Sequence, residues 1–88
     1  MSYQIVFSAA AKRDMEKVAP RIVSAIIEFV YGDLALHPLK VGKPLGRELA
    51  GSFSARRGPY RILYDIDDST QSVKVLRVDH RSDVYRAR

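Results

Sequence analysis

The first half of the chain has a hydrophobic pattern that predicts one strand followed by two helices. Residues 3–7 are β-favouring and predict the strand. Ser8 is a candidate N-cap for a helix over residues 9–18. Pro20 ends that helix and suits the first turn of a second helix over residues 21–36, because its missing N–H has no helical partner there. The apolar positions at helical spacing are Ala11, Met15 and Val18, then Ile22, Ile26, Phe29 and Val30.

The second half has short alternating runs that predict strands. Two prolines and a glycine within residues 37–45 predict a loop, and residues 46–51 favour no element. Three strands are predicted, and turns join them in an antiparallel meander. The strands cover residues 52–57, 60–66 and 72–78, with turns at Gly58-Pro59 and at residues 67–71. The order β-α-α-β-β-β predicts an α+β fold, with both helices on one face of a small, mainly antiparallel sheet, in a single domain over residues 1–88.

Arginine stands among the apolar residues of the last two predicted strands. Successive strand residues point to opposite faces, so Arg61 projects away from the face of Tyr60 and Ile62. Arg77, on the neighbouring strand, is expected to share the surface of Arg61. The sheet is therefore predicted to have one apolar face and one face with fixed positive charge.

Charge is distributed unevenly along the chain. The 88 residues include 15 Lys and Arg against 10 Asp and Glu, a net charge of +5. Residues 1–39 hold four charges of each sign, whereas residues 40–88 hold eleven positive and six negative charges. An excess confined to one region predicts a surface that attracts phosphates or an acidic partner.

Composition also narrows the class of protein. With no cysteine, the chain has no disulfide framework and no thiolate metal site. No run approaches the roughly 18 apolar residues of a membrane span, and the first residues lack the regions of a signal peptide. We expect a cytoplasmic protein that has no membrane contact.

Four segments in order resemble the RelE/ParE toxin superfamily. They are the initial strand and helix pair, the loop Gly42-Lys43-Pro44-Leu45, the run in residues 57–64 and the ending in residues 78–85. The chain looks most similar to mycobacterial RelE-type toxins of type II toxin–antitoxin systems. The resemblance covers nearly the whole chain and implies a microbial-RNase-like fold.

The resemblance also implies partners and an activity. The partners are an acidic antitoxin that wraps the toxin, operator DNA contacted through that antitoxin, and the ribosome with mRNA in its A site. We expect a ribosome-dependent mRNA endoribonuclease that needs no metal and no cofactor. Two alternatives stay open: a ParE-type toxin that poisons DNA gyrase, which shares the fold, and a member reduced to a partner in an antitoxin or DNA complex.

Metal-free RNA cleavage by the 2′-OH needs a base, an acid and cations for the charge on phosphorus. Arginine stays charged and its fork fits phosphate oxygens, whereas histidine, with an ordinary pKa of about 6.5, suits proton transfer. The candidate catalytic residues are Arg61, His80, Arg81 and Tyr85, of which Arg61 and Tyr85 also match family positions. The candidate RNA-binding residues are Lys40, Lys43, Arg56, Arg57 and Arg77.

Each candidate also has an ordinary interpretation. An arginine on a strand often lies in solvent or pairs with a nearby Asp. His80 is alternatively a hydrogen-bonded surface residue, and Tyr85 an anchor of the chain end. The sequence departs from the studied RelE pattern, which has paired lysines before the family arginine where this chain has Ser54, Arg56 and Arg57. Because arginine is a poor base, proton transfer is expected to fall to His80 or Tyr85.

Overall fold

The computed structural model describes residues 2–45 and 51–80, which form one sheet with helices on one side. The elements are β1 Gln4–Phe7, α1 Ala9–Glu16, α2 Pro20–Phe29, a π-helical turn Val30–Leu34, α3 Pro38–Val41, β2 Lys43–Pro44, β3 Ser52–Arg57, β4 Tyr60–Asp67 and β5 Ser72–His80. The sheet order is β1-β5-β4-β3-β2. Only β1 and β5 pair in parallel, and the other described pairs are antiparallel. The predicted α+β class and the meander are confirmed.

Both predicted helix starts are confirmed. The Ser8 hydroxyl oxygen accepts a hydrogen bond from the Ala11 N–H at 3.0 Å, which satisfies one of the four N–H groups that a helix start leaves open. Pro20 is the first residue of α2. The apolar side of α2 and of the π-helical turn then packs on the sheet through Ile26, Val30 and Leu34, which are all fully buried.

Two details of the prediction are wrong. The expected continuous helix over residues 21–36 changes to π-helical winding after Phe29. The expected loop over residues 37–45 contains α3, with Pro38 at its first position, and the two-residue strand β2. Pro38 starts a helix for the reason that Pro20 does. Residues 46–50 lie outside the described residues.

A bulge in β5 sets which residues face the helices. Leu63 pairs with Arg77 while Tyr64 pairs with Val75, so Leu76 is the extra residue of the pair of strands. The bulge places Arg77 on the outer face and leaves Val75 and Val78 both facing the helices. The inner face, on the helix side, carries the buried residues Ala55, Ile62, Tyr64, Val73, Val75 and Val78.

The segment between the helices and β3 is tied to the core by Tyr64. This fully buried side chain donates a hydrogen bond from its hydroxyl to the Pro38 carbonyl at 2.5 Å. Burial raises the pKa of Tyr64 to about 12. Its ring stacks on Phe53 of β3 with centroids 5.6 Å apart. One tyrosine therefore fixes the position of the segment that carries Lys40 and Lys43.

Candidate nucleic-acid interface

The outer face of the sheet, which points away from the helices, carries a basic surface. Directly paired residues share a face, so Arg56, Arg61 and Asp79 form one row across β3, β4 and β5. Lys43, Ser54, Leu63 and Arg77 form the next row. We call the set Lys43, Arg56, Arg61 and Arg77 the basic surface. The predicted sharing of one surface by Arg61 and Arg77 is confirmed.

Arg61 is the member of the basic surface that has a buried donor without a partner. Its side chain is half-buried, and within the described residues its Nε is buried and has no hydrogen-bond partner. Within residues 2–45 and 51–80, Arg61 makes no ion pair. A buried donor left unsatisfied is costly, and a charged donor is satisfied best by an anionic oxygen. The geometry therefore suits a phosphate ligand at Arg61.

Arg77, by contrast, is held by two carboxylates. Its Nε and Nη2 donate to Asp14 on α1 at 2.8 and 3.1 Å, and its Nη2 lies 3.6 Å from an oxygen of Asp79. Asp14 also accepts the Val78 N–H at 2.9 Å. Burial alone would raise the pKa of Asp14, but the bonds from Arg77 and Val78 and the Arg77 charge outweigh it, so the pKa is lowered. The hydrogen bond to Asp14 and its charge raise the pKa of Arg77.

His80 and Arg57 lie on the other side of the sheet. Tyr60 pairs with both of them, and Tyr60 shares the inner face with Ile62. The rings of Tyr60 and His80 meet edge to face with centroids 5.0 Å apart. The Arg57 guanidinium lies 5.9 Å from the centre of the Phe29 ring, within reach of a cation–π contact. The structure therefore places these two predicted site residues on the opposite face of the sheet from Arg56, Arg61 and Arg77.

The remaining predicted site residues lie elsewhere. Lys40 is exposed on α3, and Lys43 is exposed on the edge strand β2. Arg81 and Tyr85 lie outside the described residues, so their predicted catalytic roles stay predictions. No group of three or more acidic or histidine side chains within residues 2–45 and 51–80 is arranged to hold a metal ion. In the same two ranges, no helix has the length and apolar character needed to cross a membrane.

An open cavity connects the two faces at the edge of β5. It has a volume of about 380 Å³ and is lined by Lys17, Tyr60, Arg77, Asp79, His80 and the Asp14 carboxylate, among others. Arg77 and Asp79 belong to the outer face and Tyr60 and His80 to the inner face. Because β1 pairs with β5 only as far as Val75, the rest of this edge is open to α1.

Lys17 is a basic residue of the cavity that the sequence did not indicate as a site residue. It directly follows the last turn of α1, and in the sequence it is one of four balanced positive charges of the first half. Its place beside Arg77 and His80 depends on the packing of α1 against β5. No local pattern around residue 17 carries that information.

The comparison with protein families identifies the class of protein. The family described as "ParE toxin of type II toxin-antitoxin system, parDE" matches residues 5–85. This chain belongs to that family of toxins. The resemblance to the RelE/ParE superfamily is therefore confirmed.

Two mycobacterial relatives specify the branch of the family. Toxin RelG of Mycobacterium tuberculosis is 59% identical over 86 residues, covering 98% of this chain and 99% of the relative. Toxin RelE of the same organism is 42% identical over 84 residues, covering 96% of this chain and 87% of the relative. The chain is thus similar over nearly its full length to proteins named as RelE-type toxins, as expected from the sequence.

Solved structures support the same fold. A chain in the crystal structure of the RelBE2 toxin–antitoxin complex of M. tuberculosis has a TM-score of 0.89 and 58% identity, covering 94% of this chain and 95% of that one. The isolated Escherichia coli RelE toxin has a TM-score of 0.74 at 20% identity, covering 96% of this chain and 92% of that one. At that identity the second comparison shows the fold alone.

Proposed function

We propose that this chain is a RelE-type toxin that cleaves mRNA on the ribosome and thereby stops translation. The observation that carries the proposal is the half-buried Arg61, whose Nε has no hydrogen-bond partner among the described residues, on a face that also carries Lys43, Arg56 and Arg77. The names of the mycobacterial relatives support the RelE-type activity over the ParE type. The proposed place of action is the cytoplasm, where ribosomes and mRNA are found.

The proposed chemistry assigns charge and proton transfer to different residues. Arg61 binds the scissile phosphate and stabilises the charge that develops on it as the 2′-OH attacks. Arg56 and Lys43 attract the RNA backbone without reading its sequence. His80 takes or gives a proton through the cavity at the β5 edge, with Arg81 and Tyr85 as the further candidates.

The test of the proposal is single-turnover cleavage of mRNA on programmed ribosomes. Arg61→Ala is expected to lower the cleavage rate by a factor on the order of 10² or more at every pH, because arginine does not titrate in the working range. The matched control is Arg21→Ala, which removes an exposed arginine from α2 on the opposite side of the sheet. Equal rates for both folded variants would show that Arg61 is not in the active site.

The same expressed protein distinguishes the gyrase alternative. Induction in cells is expected to stop protein synthesis first, and the measurement follows incorporation of labelled amino acid and labelled thymidine in parallel. A prompt stop in DNA synthesis with translation intact would replace the RelE-type function by the ParE-type function. Arg61→Ala should remove the arrest of translation, whereas Arg21→Ala should keep it.

We also propose an acidic antitoxin as the partner of this chain. The relevant observation is the excess of positive charge confined to residues 40–88, and the solved relative is described as a toxin–antitoxin complex. A partly disordered acidic chain gains affinity by folding against such a surface, and operator DNA is then contacted through the antitoxin. Co-purification with the acidic product of an adjacent reading frame tests the partner. A host that survives the active toxin with no such product argues against it.

A further inference from the structure

Asp79 is placed where an ion pair with Arg61 would be expected. The two residues are directly paired across β4 and β5, and opposite charges at such positions attract. Yet within the described ranges Asp79 makes its ion pair with Arg77 at 3.6 Å, and Arg61 has none. If Asp79 paired with Arg61 instead, a carboxylate would occupy the donors that the proposed function reserves for phosphate.

Arg77 is in turn fixed by α1. Asp14 binds it through two nitrogens, in the bidentate geometry that is the strongest for arginine and carboxylate. The Asp14 side chain is only 10% exposed, whereas the Arg77 side chain is 49% exposed. Asp14 is itself held by the Val78 N–H. The guanidinium therefore has a fixed place between the two carboxylates, and Asp79 has a cation beside it on its own strand.

We propose that Arg77 is a positioning residue that keeps the Asp79 carboxylate away from Arg61 and so leaves Arg61 free to bind the RNA phosphate. This inference rests on the proposed function of Arg61. Arg77 also offsets the negative charge of Asp79, which otherwise repels the phosphate from the same row of the outer face. Its contribution differs from that of a direct RNA ligand, because it acts through Asp79.

The difference is measurable with a double-mutant cycle in the ribosome cleavage assay. Arg77→Ala is expected to raise KM for programmed ribosomes by a factor on the order of ten, with a smaller change in kcat, because the freed Asp79 competes for Arg61. Asp79→Asn alone is expected to cleave at least as fast as the unmodified chain. The double variant Arg77→Ala/Asp79→Asn is expected to return to within about threefold of the unmodified KM.

Two comparisons of variants distinguish a positioning role of Arg77 from an effect on folding and from a failure of the proposed function. Arg77→Lys retains a cation beside Asp79, so it is expected to keep most of the activity even where Arg77→Ala folds poorly in thermal unfolding. If Arg77 instead binds RNA directly, Asp79→Asn will not recover the loss, and the inference is overturned. It is also overturned if Arg77→Ala and Arg77→Lys both leave KM unchanged. If Arg61→Ala has no effect, the proposed function itself fails, whatever the Arg77 variants do.

Discussion

Gly42 lies where the chain passes closest to a buried tyrosine. A Cβ at this position would meet the Tyr64 hydroxyl and would lie 2.9 Å from the Ser54 carbonyl oxygen. Neither neighbour is free to move, because Tyr64 is fully buried and bonded to Pro38 and Ser54 belongs to β3. The requirement for glycine is one of space, since its φ of −119° is open to any residue.

We expect Gly42→Ala to lower the free energy of unfolding by about 1–3 kcal/mol, as overpacking in a rigid site does. Gly32→Ala is the matched control, because a Cβ added there would lie more than 4 Å from every described atom outside its chain neighbours and its own helical backbone. In its helical position the control is expected to be neutral or stabilising by up to about 1 kcal/mol. Urea unfolding of the two variants measures the difference. Equal stabilities would show that Tyr64 can move to accommodate the added Cβ at residue 42 without loss of stability.

Individual residues also show what the sequence can predict about the site. The outward direction of Arg61 follows from the alternation of Tyr60, Arg61 and Ile62, and the structure confirms it. The separation of His80 from Arg61 was not foreseen. It follows from the register, which pairs His80 with Tyr60 on the inner face. The prediction ended the last strand at Val78, whereas β5 continues to His80. Alternation from the buried Val78 then puts His80 on the inner face.

At the scale of elements, a side chain of α1 satisfies a backbone hydrogen-bond donor at the open edge of β5. β1 pairs with β5 only over residues 72–75, and beyond that the Val78 N–H donates to the Asp14 carboxylate of α1. Ser8 contributes as well, because its hydroxyl donates to the Leu76 carbonyl at 2.8 Å. An unpaired strand edge invites association with other chains. Here α1 covers it with polar groups that also position Arg77.

We expect Asp14→Asn to destabilise the fold at neutral pH by about 1–3 kcal/mol, because it weakens charged hydrogen bonds to Arg77 and Val78. The pKa of Asp14 is lowered in the folded state. Its stabilising contribution is therefore present above the unfolded value of about 3.9 and is lost as pH falls through the lower folded value. The difference in melting temperature between the unmodified chain and Asp14→Asn should shrink below about pH 4.

The control for this pH dependence is Asp33→Asn in the π-helical turn. Asp33 is exposed and makes no ion pair within the described part of the chain. The melting temperature of the Asp33→Asn variant should follow that of the unmodified chain across the same pH range. A constant difference between Asp14→Asn and the unmodified chain down to pH 3 would show that the charge of Asp14 does not stabilise the edge of β5.

The elements themselves were predictable where the pattern is local. The N-cap at Ser8, the helix start at Pro20 and the turn at Gly58 and Pro59 follow from single residues with strong preferences. The bulge at Leu76 and the hydrogen bond from Val78 to Asp14 were not predictable in this way. The hydrogen bond joins residues that are 64 positions apart. These long-range contacts determine that Arg77 lies on the outer face and is held in place there. The position of Arg77 therefore depends on two features that the local sequence pattern does not predict.

At the scale of the whole molecule, the basic surface lies on the side of the sheet opposite the helices. Residues 1–39, which form β1, α1, α2 and the π-helical turn, have equal numbers of positive and negative charges. The basic surface belongs entirely to β2–β5, on the side of the sheet that no described helix covers. One side of the sheet therefore packs the helices, and the other side carries the basic surface. The uneven charge along the chain predicted a basic surface within residues 40–88, and all four residues of the basic surface lie in that range.

We expect the basic surface to determine the salt dependence of binding. The probe is a ribosome programmed with mRNA whose A-site codon carries 2′-O-methyl groups, which remove the nucleophile, and affinity is measured between roughly 50 and 200 mM salt. Each phosphate contact on a single strand contributes about −0.7 to the slope of log K against log salt. Lys43→Gln should reduce the magnitude of the slope by about this amount if Lys43 contacts one phosphate. Arg21→Gln, on the helix side, removes the same charge and should leave the slope unchanged. Equal slopes for Lys43→Gln and the unmodified chain would place the RNA contact away from the outer face.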